Sequence, residues 1–423
     1  MVIKYDRAVF ILIALLPFST IPKILFSFDF FPLFFDVCLF FLLCFGLVRG
    51  KLNGPKSTVI LIFIYLVFNI VTILWSQIPV LYSNVTAIRL TLFPILMFFV
   101  PYCISFCEDN LEYFSRLLLL CSVLVFLNAV RQYAFPLDFE VSFANDAGGA
   151  AKFYGDSFQG ALDSFRIFST FITSVHLVTY TSFVFYLFFS FYILRVKTGA
   201  LIKVSMILAL ISLILTFSRA GWLSFLFGFL ICFSFSAHSV SVSNKIKIIL
   251  MALFSFILLI LFIENNELLS SRVYTLGSLE NVSSFQSRLL VWEERINLIY
   301  QNPYGLGVGA ASWSVHHLMH AGADSNYLKF FIELGFAGGV LSLFVLIYSY
   351  FYILIGVITF KRKNSINYAF VVSIFAFFNS TLIQMIANQV LEAYPINMYF
   401  WFLIGVGVIL VQGRNSGENN ERS

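Results

Sequence analysis

The residues best placed for chemistry in this 423-residue chain are four arginines that stand beside apolar stretches. A guanidinium stays charged, is planar and gives bidentate hydrogen bonds, so it is the natural partner of phosphate groups. Arg219 lies in Thr216-Phe217-Ser218-Arg219-Ala220-Gly221-Trp222, a polar break between two apolar runs, where an ionisable residue is a functional candidate. Snorkelling to headgroups or pinning a tight turn is its competing role. Arg166, in Asp163-Ser164-Phe165-Arg166-Ile167-Phe168-Ser169-Thr170, opens an apolar run, where interface anchoring competes in the same way. Arg288 and Arg295 are seven residues apart on one flank of a stretch in which Leu289, Trp292, Ile296 and Ile299 recur at helical spacing. That pattern predicts an amphipathic helix lying on a membrane. Neither arginine has an acid three or four positions away, so pairing along the helix does not consume its charge.

Beyond this stretch, Asn302-Pro303-Tyr304-Gly305-Leu306-Gly307-Val308-Gly309 provides a turn and three alternating glycines, which permit close backbone approach. No preceding strand and no following GKS/T make it a nucleotide loop. His316, His317 and His320 follow without a neighbouring Cys or a clear acidic third ligand, so no metal site is expected. Asp324-Ser325-Asn326-Tyr327 then leads into the next apolar run. Each of the first three is a good helix cap, but a carboxylate at a helix mouth among arginines can also take a proton from a hydroxyl nucleophile.

These residues need positioning elements, and composition says which. The chain is 60% hydrophobic and 11% charged, whereas a soluble domain carries about 25% charged residues. Phe occurs 54 times along the whole length. A soluble globular protein and a nucleic-acid binder are both excluded, and an all-α polytopic integral membrane protein is expected, a single membrane domain over 1–423. Apolar stretches near the ~20 residues that span a bilayer fall at 8–25, 32–48, 57–75, 89–107, 117–133, 170–194, 201–217, 220–236, 246–263, 327–360, 366–388 and 396–412, making about twelve transmembrane helices. The first has no small-residue cleavage site after it and reads as a retained helix. The six cysteines read as free buried thiols.

Orientation follows from Lys and Arg, which are held on the cytoplasmic side in short loops. Arg49, Lys51 and Lys56, then Arg195, Lys197 and Lys203, then Lys245 and Lys247, then Lys361, Arg362 and Lys363 all follow even-numbered spans. Both termini are therefore expected in the cytoplasm. The loop with Glu108, Asp109, Glu112 and Arg116 is the exception. Two longer segments, 134–169 and 264–326, fall outside, the second large and carrying the amphipathic helix. Loops of that size between membrane helices usually carry function.

Trp75-Ser76 with Pro79, Arg166, Ser218-Arg219-Ala220-Gly221, and Arg288 with Trp292 ahead of Asn302-Pro303-Tyr304-Gly305-Leu306-Gly307 resemble, in this order, the bacterial O-antigen ligase/polymerase superfamily. In its ligases the large outer loop ends with His, then Asn, Ser or Gln, nine residues, Gly, two residues and Gly. Asp324, Ser325, Gly335 and Gly338 fit that frame, with Asp in the place of His. The resemblance implies a glycosyltransferase of the bacterial inner membrane, needing no metal or other cofactor, with its active site on the periplasmic face. Its donor would be an undecaprenyl-diphosphate-linked oligosaccharide and its acceptor a lipid-linked glycan. Membrane lipid and a chain-length regulator protein are the other implied partners.

Arg166 and Arg288 would bind the diphosphate and Asp324 would stand at the base position, with Arg219, Arg295, Tyr327 and His320 around the substrate. An aspartate, with an ordinary pKa of about 3.9, is a weak base, and arginines beside it lower that further. Positioning and charge stabilisation are thus expected of Asp324, with His320 or His317 in reserve. The aspartate favours a polymerase over a ligase. A flippase without chemistry is the rival from another class, disfavoured because no second half mirrors the first and because the charges cluster at one face.

Overall fold

Lipid offers the backbone no hydrogen-bond partner, so apolar segments of this length must satisfy their own peptide groups as helices. The computed structural model describes residues 2–26, 30–49, 54–78, 81–146, 166–237, 283–312, 322–360 and 365–420, and these are helical with no strand among them. In chain order the α-helices are α1 (Val2–Leu15), α2 (Ile21–Phe26), α3 (Phe30–Val48), α4 (Lys56–Thr72), α5 (Leu81–Leu96), α6 (Glu108–Ala134), α7 (Asp138–Asp146), α8 (Ser174–Ile193), α9 (Ala200–Leu215), α10 (Arg219–Ser236), α11 (Ser283–Gln301), α12 (Asn326–Thr359), α13 (Ile366–Ala387) and α14 (Ile396–Asn420). Seven helical stretches are long and apolar enough to cross a membrane, and four shorter apolar helices accompany them. Together they coincide with every expected span except 246–263, which lies outside the described residues, as do 147–165 and 264–282 of the expected outer loops.

The chain is a multi-pass membrane protein built around α8 and α13, which are buried along most of their length. Apolarity alone does not set these two apart, since a helix apolar on every side also suits a lipid-facing span; their burial does. Because lipid tails are as apolar as the helices, close packing must hold the bundle together, and phenylalanine supplies it. Phe185 and Phe189 of α8 meet Phe225 and Phe229 of α10 with ring centroids 5.1 and 5.0 Å apart. Gly228 lets the Tyr186 ring come close, and the Tyr186 hydroxyl donates to the Phe225 carbonyl at 2.7 Å.

Side-chain contacts sort the helix ends into two groups. At one end Arg7 lies over the Tyr113 ring, Arg49 over Tyr5, and Lys197 pairs with Glu112. At the other, Thr20 bonds the Thr170 carbonyl, and the Gln132 side-chain oxygen accepts from the backbone of both Phe168 and Ser169 at 2.8 Å. Thr179, near the start of α8, bonds Gln384, near the end of α13, at 2.7 Å.

Two expectations need correction. Arg166 does not open a helix: Ser169 takes a left-handed φ of 55°, and the helix begins only at Ser174, capped by Thr173. Of the cysteines, Cys121 and Cys232 are buried, whereas Cys107 is exposed at the start of α6.

Candidate active site

At the end opposite the basic one, Ser325 rather than Asp324 caps α12. Its hydroxyl accepts from the Tyr327 N–H at 3.2 Å and donates to the Met385 carbonyl at 3.1 Å. Asp324 is thus spared from capping, and its Oδ2 lies 4.0 Å from Nε of Arg288 on α11. Both side chains are partly exposed, at 24% and 30%. A separation of 4.0 Å is beyond hydrogen-bond reach, so charge alone holds this pair, and the guanidinium fork is not spent on that carboxylate.

The backbone around Asp324 is pinned on both sides. Arg295, one of the arginines expected to meet substrate, is buried, and its Nε donates to the Gly322 carbonyl at 2.9 Å. The Gln389 amide donates to the carbonyls of Ala311, at 2.9 Å, and Ala323. The Asn326 side-chain oxygen accepts from Leu391 N at 3.0 Å. Arg295 therefore acts, through its Nε, on the backbone that carries Asp324. Tyr327 likewise spends its hydroxyl proton on the Leu382 carbonyl, at 2.8 Å. His316, His317 and His320 lie outside the described residues.

The amphipathic helix is present as α11, and its apolar row is covered only in part. Ile299 is buried in a small cluster with Ile78, Leu306, Ala323 and Ile332, while Leu289 and Ile296, earlier on the same flank, are exposed. Contact with the next loop covers the C-terminal part of the row.

The alternating glycines approach protein backbone. Gly305, Gly307 and Gly309 have φ of 82°, 92° and 85°, a region that favours glycine. Leu306 N and Gly307 N donate to the carbonyls of Ile332 and Glu333 at 2.8 and 3.0 Å, and Phe336 N donates to Pro303 O at 2.9 Å. These bonds are possible because α12 breaks at Gly335, where φ is 66°. The 34 residues of α12 would run roughly 50 Å unbroken at ~1.5 Å each, against a hydrocarbon core of about 30 Å. The break sets 326–334 apart as a short docking segment and leaves 336–359 to cross. Gln77 N, after α4, donates to Leu306 O at 3.0 Å, so Trp75-Ser76 abuts the same loop. A Cβ on Gly307 would stand 2.3 Å from the Ser76 Cα. Gly307→Ala is therefore expected to dislodge the loop, raising protease cleavage within 302–312 and lowering the melting midpoint by about 2 °C, roughly what 2 kcal/mol produces in a protein of this size.

Beneath the loop lies a charged cluster that sequence reasoning passed over. Lys329 Nζ is 3.2 Å from Glu333 Oε1 and 3.0 Å from Glu392 Oε2, all three side chains being under a tenth exposed. Glu392 also accepts from the Ser312 hydroxyl, and Glu333 from Ala311 N at 3.2 Å. The available signal was Lys329 and Glu333 at i, i+4 within an apolar run, together with the single acid between the last two spans.

Of the remaining arginines, Arg219 is the first residue of α10, after Phe217 with φ of 52° and the cap Ser218. A Cβ on Gly221 would lie 2.7 Å from Val178 of α8. Gln384 of α13 also bonds the start of α8, and Ser325 bonds the adjacent Met385. Arg166 precedes Thr170 by four residues. Arg166, Arg219 and the Arg288–Asp324 pair therefore share one end of the bundle. The arrangement sets one guanidinium group, Arg288, beside a carboxylate held on a stiff backbone, at the end that also carries Arg166 and Arg219.

Residues 204–343, about a third of the chain, match a family model described as O-antigen ligase. The matched segment carries Arg219, Arg288, Arg295, Asp324 and both Gly335 and Gly338, and excludes Arg166, Gln389 and Glu392. The match supports the resemblance to the O-antigen ligase/polymerase superfamily, a group of membrane enzymes. No curated protein matches the chain.

Proposed function

From a chain that carries the O-antigen ligase family's pattern over residues 204–343, we propose a membrane glycosyltransferase that polymerises undecaprenyl-diphosphate-linked repeat units of a surface polysaccharide, O-antigen or capsule-like. The Arg288–Asp324 pair carries this reading, since it sets an anion-binding group and a proton-accepting group 4.0 Å apart at one open end of the bundle. That end is opposite the cluster of basic residues, so by the preference of Lys and Arg for the cytoplasm it faces the periplasm of the inner membrane.

In the reaction, an acceptor sugar hydroxyl attacks the anomeric carbon and inverts it, while the bond to the diphosphate oxygen breaks. The electron pair leaves on the diphosphate, where Arg288, Arg166 and Arg219 stabilise it; fixed charges aimed at developing charge are a large catalytic term. Asp324 orients the hydroxyl, stabilises positive charge on the sugar ring and receives the proton or passes it to water. Arg295 and Gln389 keep Asp324 in place by holding Gly322 and Ala323. Because guanidinium groups supply the charge stabilisation, turnover is expected to survive EDTA.

Purified protein supplied with a lipid-diphosphate oligosaccharide tests the proposal: release of undecaprenyl diphosphate together with longer glycan is expected, and transfer of intact lipid across vesicles without release overturns it. The aspartate at 324, where the ligases have His, favours polymerase over ligase. Deleting the gene separates the two. Loss of a polymerase leaves single repeat units on the lipopolysaccharide core, whereas loss of a ligase leaves bare core and polymer on the lipid carrier.

A further inference from the structure

At the basic end, between α6, α8 and α9, an open groove of ≈ 340 Å³ is lined by Leu119 and Leu201 and by Lys197, Arg116 and Glu112, with the buried Phe188, Phe191 and Ile202 behind them. Its charges are unbalanced. The Glu112 carboxylate serves two cations, Arg116 at 2.6 Å and Lys197 at 3.3 Å, and Lys197 also donates to the Ser115 hydroxyl at 3.1 Å. Burial is the main cause that lowers the Lys197 pKa. Its ammonium is partly withdrawn from water and shares one carboxylate with Arg116. The helices that flank the cavity turn apolar side chains outward: Leu120, Leu124 and Leu127 on α6, and Leu201, Val204 and Ile207 on α9, all exposed. Those faces meet lipid, so the cavity lies at the edge of the bundle where a lipid can enter it from the bilayer.

We propose that this groove binds one anionic phospholipid of the leaflet at the basic end, its phosphate beside the Lys197 and Arg116 side chains and the start of an acyl chain against Leu119 and Leu201. The volume accommodates a headgroup and its first methylenes, and charged side chains beside apolar ones match the groups of a phospholipid. Basic pockets between membrane helices are established sites for anionic headgroups. A zwitterionic lipid offers the same phosphate but adds a cation that Lys197 and Arg116 repel. The site lies at the opposite end from Arg288 and Asp324 and does not depend on what they do.

The full chain, extracted in detergent, is titrated with phosphatidylglycerol, phosphatidylcholine or inorganic phosphate, and bound lipid is read by native mass spectrometry alongside thermal unfolding. Phosphatidylglycerol is expected to be retained and to raise the unfolding midpoint. Lys197→Ala is expected to cut retention about fivefold, the effect of one basic residue near a headgroup, and Lys197→Arg to preserve it. Gly199→Leu is a second variant, since a Cβ there meets nothing within 4 Å. It is expected to reduce retention by occupying space at the cavity lining while the protein melts normally without lipid. Equal binding of the two lipids, unchanged retention in both Lys197→Ala and Gly199→Leu, or stabilisation by inorganic phosphate equal to that by phosphatidylglycerol overturns the proposal.

Discussion

Arg288→Ala is expected to lower the rate of glycan transfer by about 10²–10³-fold, the usual cost of removing one preorganised donor to developing negative charge. The membrane-inserted protein is expected to stay folded, since Arg288 is partly exposed and meets Asp324 only at 4.0 Å. Arg288→Lys should recover little, because an ammonium cannot give the bidentate geometry that suits a phosphate. Asp324→Ala should also impair transfer, and the double variant should be little worse than the more impaired single one, since the two groups act in one step. Initial rates with a lipid-diphosphate donor, measured for the four proteins, check this. Normal turnover in Arg288→Ala removes the arginine from the mechanism, and full additivity separates the pair.

The second large effect is on stability. Lys329→Met leaves Glu333 and Glu392 buried together without the cation that each contacts within 3.2 Å. Breaking a buried pair from one side costs about 3–5 kcal/mol. The variant is expected to accumulate poorly and to unfold well below the wild type in detergent. The triple variant Lys329→Met, Glu333→Gln, Glu392→Gln should regain much of the loss, because a neutral buried group needs hydrogen bonds but no counter-charge. A wild-type midpoint for Lys329→Met alone rules out the cluster as an electrostatic support. Its position explains why it is there: Glu333 holds Ala311 N, Glu392 holds Ser312, and both lie under the loop that leads back to Asp324.

Pro303 to Gly309 shows how far the sequence could be read. The glycine spacing announced a close backbone approach, and three positive φ values bear that out. Its partner was not legible, because the frame that marks Gly335 does not say that the helix breaks there. Only the break it makes in α12 exposes the carbonyls of Ile332 and Glu333 to Leu306 and Gly307. Arg288 and Arg295 show the same limit. Both sit on one flank of α11 as their spacing requires, yet one reaches the Asp324 carboxylate and the other a backbone carbonyl two residues earlier. The difference comes from how α11 docks on 322–324, a contact between segments far apart in the chain.

What the sequence determined alone was the solvent, the secondary structure and the sorting of charge, because hydropathy over ~20 residues and the placement of Lys and Arg act segment by segment. It also marked which residues could meet an anion, since that depends on side-chain chemistry. Tertiary structure decided what each of them contacts, as with Arg288 beside the Asp324 carboxylate and Arg295 on the Gly322 carbonyl. Lys329 finds Glu392 sixty-three positions away, and Gln389 ties Ala311 to Ala323, because helix packing sets those distances and neither composition nor local spacing encodes them.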